Sequence, residues 1–240
     1  GNISDFAYNG YNYRNIAING NFKLPLYKGS IIVNDPNLKM NFDGLVNLSK
    51  KESQYDFQIK VDKAELHKLN FVSDSISQFK GDAIVDVQGN SIEDLHGNIY
   101  INNATYVNPK NTYEFIDLNL NSSFDEARVR TIKITAPDIA NGTIIGKYKF
   151  GELRGLVTNS LGSLYTNYKP IKVKKGQFLK FNFEVYNKIV EVFFPDIKLS
   201  DNTFVKGNIN SDNNEFKFNF NSPNIKASDN SFDNIRVAID

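Results

Sequence analysis

Apolar and polar residues alternate along most of this chain, and the alternation is that of β-strands with one buried face and one solvated face. It is clearest in Phe22, Leu24, Leu26, in Leu38, Met40, Phe42, and in Tyr55, Phe57, Ile59, Val61. It resumes in Ile84 to Val87, Ile92 to Ile101, Phe115 to Leu120, and Val129, Ile132, Ile134. The second half continues it in Leu179, Phe181, Phe183, Val185, in Ile189 to Phe194, in Phe204 to Ile209, in Phe216, Phe218, Phe220, and in Ile235, Val237, Ile239. Gly, Asn, Asp, Ser or Pro punctuates each gap, and the charged turn Lys50 to Ser53 joins Leu45–Leu48 to Tyr55–Val61 as a hairpin. A strand every dozen or so residues implies roughly 14 to 18 strands, too many for a flat sheet, which must curl, split or twist.

A short phrase organises the pattern. It reads Asp35-Pro36-Asn37-Leu38, Ala136-Pro137-Asp138-Ile139, Phe194-Pro195-Asp196-Ile197 and Ser222-Pro223-Asn224-Ile225. Proline cannot donate to a ladder, and the Asp or Asn after it bonds the backbone locally. The phrase predicts a kink or strand junction, repeated at uneven intervals. Two stretches leave the strand period. Ala64 to Phe71 has room for a turn of helix. In 151–168, Leu153, Leu156, Val157, Leu161, Leu164, Tyr165 and Tyr168 fall at helical spacing before Lys169-Pro170 ends the run. That segment predicts one amphipathic helix covering the open side of a sheet, with a lid or partner-docking helix as the sharper reading.

Composition narrows the function. Nineteen Phe and twelve Tyr supply a large apolar surface, while a net charge of +1 lacks the basic excess of a nucleic-acid binder. The densest basic cluster, Lys172, Lys174 and Lys175, reads as a solvated strand end in preference to an anionic-lipid contact. Cysteine is absent, which excludes disulfides and thiolate metal sites, and no stretch has the length of an apolar membrane span. His67 and His96 each stand alone and read as structural. Asp82 and Asp86 share a strand face and read as part of its solvated side. No nucleophile elbow, phosphate loop or calcium loop is present. The expectation is a non-enzymatic protein with no catalytic residue, cofactor or metal.

The run from Leu38 to Leu48, the following hairpin and Lys63-Ala64-Glu65-Leu66-His67-Lys68-Leu69-Asn70-Phe71 resemble the AsmA-like superfamily, and within it the TamB group of translocation and assembly module proteins. The entry Asp94-Leu95-His96-Gly97-Asn98-Ile99, the Pro-Asp-Ile phrases and a helix within a β array are similar in the same way. The resemblance covers most of the chain from about Asn21. It implies an all-β fold, a long curled antiparallel or mixed sheet shaped as a β-taco or half-pipe groove, in one continuous segment, 1–240, of a longer protein. The chain starts at Gly1 and stops within a strand-like run, in keeping with such a segment. Further implications are a periplasmic location, an inner-membrane anchor elsewhere in the protein, transport of phospholipids toward the outer membrane, and an outer-membrane assembly β-barrel as partner.

The alternation itself assigns a groove lining: Leu38, Met40, Phe42, Phe57, Ile59, Ile99, Ile101, Ile132, Ile134, Leu179, Phe181, Phe183, Val192, Phe194, Phe216, Phe218 and Phe220. These would solvate acyl tails passively, each buried CH₂ being worth about 0.8 kcal/mol. The competing reading is a closed β-sandwich or β-helix scaffold or adhesin that binds proteins, in which the same residues pack on one another.

Overall fold

The computed structural model describes every residue except 50, 74, 163–166, 168, 214 and 240, and the side chain of Leu161. The chain is all-β: sixteen strands are hydrogen-bonded into an antiparallel sheet that is not closed into a barrel. It divides into two compact units, 1–119 and 120–240.

In the first unit, β1 (Asn2–Tyr8), β2 (Tyr11–Lys23), β3 (Leu26–Asn34), β4 (Leu38–Asn47), β5 (Gln54–Glu65), β6 (Gln78–Gln88) and β7 (His96–Val107) pair in chain order, and the short β8 (Thr112–Glu114) pairs with β7. The order is a meander, because each connection is too short to skip a neighbour. Residues 66–70, expected as a turn of helix, form a single helical turn. The Leu69 N–H donates to the Glu65 carbonyl at 3.0 Å, Phe71 N–H to Leu66 at 2.9 Å and Asn70 N–H to His67 at 3.0 Å, with Asn70 at φ 61°. That is a Schellman closure with asparagine in the left-handed position usually held by glycine. Among the described residues, six of the eight non-glycine residues at positive φ are asparagines, the residue type that best tolerates that conformation after glycine.

In the second unit, β9 (Leu118–Phe124), β10 (Arg130–Ala136) and β11 (Ala140–Lys147) lead to a one-turn 3₁₀ segment (Phe150–Glu152) and α1 (Leu153–Gly162). Then come β12 (Phe178–Val185), α2 (Asn187–Phe193), β13 (Ile197–Leu199), β14 (Thr203–Asn210), β15 (Glu215–Ala227) and β16 (Asn230–Ile239). The order within this unit is β10-β11-β12-β14-β15, with β13 beside the end of β15 and β16 along its other side. The expected helix over 151–168 is thus present as α1. Leu164, Tyr165 and Tyr168 of that expectation lie outside the described residues.

Two expectations change. Ile189 to Phe193 is helical rather than extended: Ile189, Val192 and Phe193 fall at helical spacing while Val190, Val192 and Phe194 alternate as in a strand, a degeneracy usual in short apolar runs. The helix is fixed by Asn187, whose amide donates to Glu191 at 2.8 Å while its carbonyl oxygen accepts the Leu199 N–H at 2.8 Å, and by a Lys188–Asp138 ion pair. Ile92 lies in an exposed turn and β7 starts only at His96. Asp94 makes that turn by accepting the N–H groups of Asn90 and Ser91 and the Ser91 hydroxyl at 2.7–3.0 Å. Burial pushes the Asp94 carboxyl up, but these donors outweigh it and hold it below its ordinary range.

The proline phrase resolves into two devices. In three copies the fourth residue donates its N–H to the first residue's carbonyl: Leu38 to Asp35 at 3.3 Å, Ile139 to Ala136 at 3.0 Å and Ile197 to Phe194 at 2.9 Å. These are β-turns with proline at the position its fixed φ suits. The first two turn β3 into β4 and β10 into β11; the third turns α2 into β13. The fourth copy lies inside β15. Its Pro223 sits between the stretch paired to β14 (215–221) and the stretch paired to β13 (225–227), where a missing N–H costs no ladder bond.

Candidate functional site

Cross-strand register brings the alternating apolar residues onto one face in each unit. In the first unit, one row runs Ile18, Ile31, Phe42, Ile59, Ala83, Ile101 from β2 to β7, and the next runs Gly29, Gly44, Phe57, Val85, Ile99. The opposite face carries Asn41, Lys60, Asp82 and Asn102 in register. Bulges at Lys39/Met40 against β5 and at Lys80/Asp82 against β7 shift the parity of neighbouring strands together. Leu38, Ala64, Phe79 and Tyr106 therefore continue the apolar face. All seven lining residues expected here (Leu38, Met40, Phe42, Phe57, Ile59, Ile99, Ile101) share that face.

Aromatic rings pave its middle, with Tyr27–Phe42 centroids 6.2 Å apart and Phe42–Phe57 centroids 5.0 Å apart. Gly44 makes this possible. At φ 150° a Cβ there would fall 2.4 Å from the Phe57 Cα, so only glycine lets the strands approach beneath the rings.

One end of this face is closed. Tyr13, Ile16, Val33, Ala64 and Leu69 form a buried cluster with Leu66 and Phe79 against it. The β1–β2 turn is clasped to the helical turn: the Asn9 amide donates to the Asn70 carbonyl at 2.7 Å and the Asn70 amide to the Asn9 carbonyl at 3.0 Å. Asp35, 1% exposed, ties β2 to the first proline turn by accepting the Tyr11 hydroxyl at 2.6 Å, the Arg14 N–H at 2.9 Å and the Asn37 N–H at 2.8 Å. Burial, and then the bond to Asp35, push the Tyr11 phenol above its ordinary pKa.

The second unit repeats the logic. Ile132, Ile144, Phe181, Gly207, Phe218 and Ile239 form one row, and Ile134, Gly142, Phe183, Val205, Phe220 and Val237 the next. Leu179, Ile209 and Phe216 align beyond them. The other face presents Lys133, Thr143, Asn182, Lys206 and Asn219. Phe181 lies over Gly207, where a Cβ would come 2.4 Å from its ring. All eight strand-borne lining residues expected here share the face. Val192 and Phe194 do not: they belong to α2 and its end, and Phe194 is 60% exposed. α1 packs against β14 and β15, with Leu156 and Ile209 buried at 1% and 2% exposure.

Away from its closed end, each unit's face is mostly half-buried, with Phe42 of the first unit buried. Phe57, Ile59, Phe181, Phe183, Phe216, Phe218 and Phe220 are all intermediate in exposure, and among the described residues just eleven apolar side chains are fully buried. The accessible surface is 15026 Å². A compact monomer of 27.2 kDa would expose about 10,900 Å², and even two separate compact globules of half that mass would together expose about 13,100 Å². Apolar sheet faces have stayed open to solvent.

Both histidines sit at turns, His67 Nδ1 being 3.3 Å from the Val72 carbonyl oxygen and His96 Nδ1 3.1 Å from that of Asp94. Asp82 and Asp86 project from the polar face, where Asp86 pairs in register with Asp56. No helix among the described residues is long and apolar enough to cross a membrane. The chain belongs to the class of antiparallel β-proteins not closed into a barrel, and each unit has one apolar and one polar sheet face. No protein-family model, no curated protein and no solved structure matches the chain.

Proposed function

We propose that the chain works as a stretch of an AsmA-like, TamB-type periplasmic bridge. In this reading its apolar faces conduct phospholipids toward the outer membrane and support outer-membrane protein assembly, in a protein anchored in the inner membrane outside this chain. The carrying observation is the half-burial of two long, unbroken apolar faces. A row from β2 to β7 crosses five inter-strand spacings, about 24 Å at about 4.8 Å each. One acyl tail occupies about 15 Å, half a bilayer's hydrocarbon core. Such a floor solvates a tail over its whole length, while the polar face meets water. Exposed apolar patches of this extent mark binding surfaces. A closed sandwich, the competing reading, would bury Phe57 and Phe181 completely.

The edges support the protein-partner part of the proposal. Every residue of β1 is exposed, and among the described residues β1 pairs only with β2 and β16 only with β15. Such edges accept an added strand, as an outer-membrane β-barrel partner would require.

Native mass spectrometry of the purified chain with lipid extraction tests the reading. Phospholipid retained in molar amounts is the expected result, and Phe57→Asp with Phe181→Asp should release it without unfolding the protein. A lipid-free mass from folded protein would overturn it in favour of a scaffold acting through protein partners.

A further inference from the structure

The two units differ in charge. Residues 1–119 hold 11 basic and 14 acidic residues; residues 120–240 hold 17 and 13. The excess is concentrated. Between 147 and 175 seven cations (Lys147, Lys149, Arg154, Lys169, Lys172, Lys174 and Lys175) accompany a single carboxylate, Glu152. All seven are exposed, and among the described residues none lies within ion-pairing distance of a carboxylate.

The fold brings the segments that carry Lys149, Lys172, Lys174 and Lys175 together. The Gln177 side chain accepts the Lys149 N–H at 2.8 Å and donates to the Lys174 carbonyl at 3.0 Å and to Glu152 at 2.8 Å. Glu152 also accepts the Lys174 N–H at 2.8 Å, and this bond, with help from Gln177 and the nearby lysines, holds its carboxyl below the ordinary range. The Asn159 side chain of α1 pairs with both backbone groups of Ile171 at 2.7 Å, so that 170–175 lies against α1 as a strand would. Asp212, beside the end of this segment, accepts the Gly176 N–H at 2.7 Å. Pro170, Ile171 and Val173 interleave with the lysines. Ile171 is 52% exposed, and a cleft of about 300 Å³ opens between this segment and Leu156.

We infer that this surface docks on the anionic phospholipid headgroups of a bilayer. Its charge is complementary to such a surface and uncompensated within the unit, and polybasic clusters of this size are held by anionic leaflets. The aliphatic side chains of 170–173 suit insertion among headgroups, whereas nucleic acid would favour open rings on which bases stack; the rings beside Lys147 and Lys149, Tyr148 and Phe150, are half-buried and packed edge to face on each other with centroids 5.4 Å apart. The inference stands apart from acyl-chain binding on the sheet faces, since no residue of the apolar rows takes part.

Co-sedimentation of the whole chain with vesicles of phosphatidylcholine alone, or of phosphatidylcholine with phosphatidylglycerol, tests it at low and high salt. Binding is expected only to the anionic vesicles and weakens as salt screens the charges. The variant K169Q/K172Q/K174Q/K175Q should lower partitioning on the order of a hundred- to a thousandfold, from about 1 kcal/mol per surface lysine. Its circular dichroism and its lipid content by native mass spectrometry should be unchanged, which separates this surface from the acyl-chain reading. K147Q/K149Q, drawn from the sheet end of the same patch, should give a smaller loss in the same direction. Equal binding to neutral vesicles, unchanged binding by both variants, or tighter binding to single-stranded RNA than to anionic vesicles would overturn the inference.

Discussion

The two units build the same kind of face and close it differently. Residues 1–119 close one end with their own chain: the helical turn at 66–70 inserts Leu69, and two asparagines clasp it to the β1–β2 turn. Residues 120–240 use a separate helix, α1, laid on β14 and β15, and among their described apolar side chains bury only Ala136, Leu156 and Ile209, the rest of their buried side chains being polar. The first solution gives a local apolar core in a unit with a small acidic excess. The second leaves a basic segment exposed beside its helix. An amphipathic sheet can therefore be stabilised from its end while its middle stays open, and the closing element is free to carry another task.

Substituting the two plugs probes this contrast most strongly. Leu69→Ala and Leu156→Ala should each cost about 2–5 kcal/mol, the range for emptying a fully buried leucine site. In urea unfolding followed by hydrogen exchange, Leu69→Ala should deprotect β2–β6 first and Leu156→Ala β14–β15 first. Identical protection patterns for both would mean that the units do not rely on separate plugs.

Gly207→Ala should cost about 1–3 kcal/mol by driving the Phe181 ring off its seat, with the loss read in thermal unfolding and in weaker lipid retention. Asn70→Ala removes a left-handed asparagine and the bond its side-chain amide donates to the Asn9 carbonyl, so about 1–3 kcal/mol is expected. Asn70→Gly should recover the backbone part alone, separating conformation from clasp.

The smallest effect is acid sensitivity. Asp94 has a depressed carboxyl, so its contribution is present above the unfolded-state pKa and is lost as pH falls through the folded-state value. Protection of the Asn90 and Ser91 amides, relative to their intrinsic exchange, should fall at acid pH in the wild type and lose that dependence in Asp94→Asn, while the Lys174 amide, held by the likewise depressed Glu152 in the second unit, should keep its own acid sensitivity in that variant.

Much of the face was legible in the sequence, because a strand period of two assigns sides once the pairing is known. Fifteen of the seventeen expected lining residues share their unit's apolar face; the exceptions, Val192 and Phe194, lie in a run too short for period to separate helix from strand. Turn chemistry was legible too: Pro at the second position of the repeated phrase specified three β-turns. What alternation could not convey was burial. The same apolar row reads alike whether it faces a second layer or solvent, so open faces and closed ends had to come from long-range contacts such as Asn9 with Asn70, 61 residues apart. Nor could the lysines of 147–175 declare a common surface, since two side chains, Gln177 and Asn159, gather separate segments around them. The sequence by itself determined the elements, their sides and their turns, which depend on neighbours a few residues away. Tertiary structure alone decided what each side faces, because that depends on hydrogen bonds and packing between segments distant in the chain.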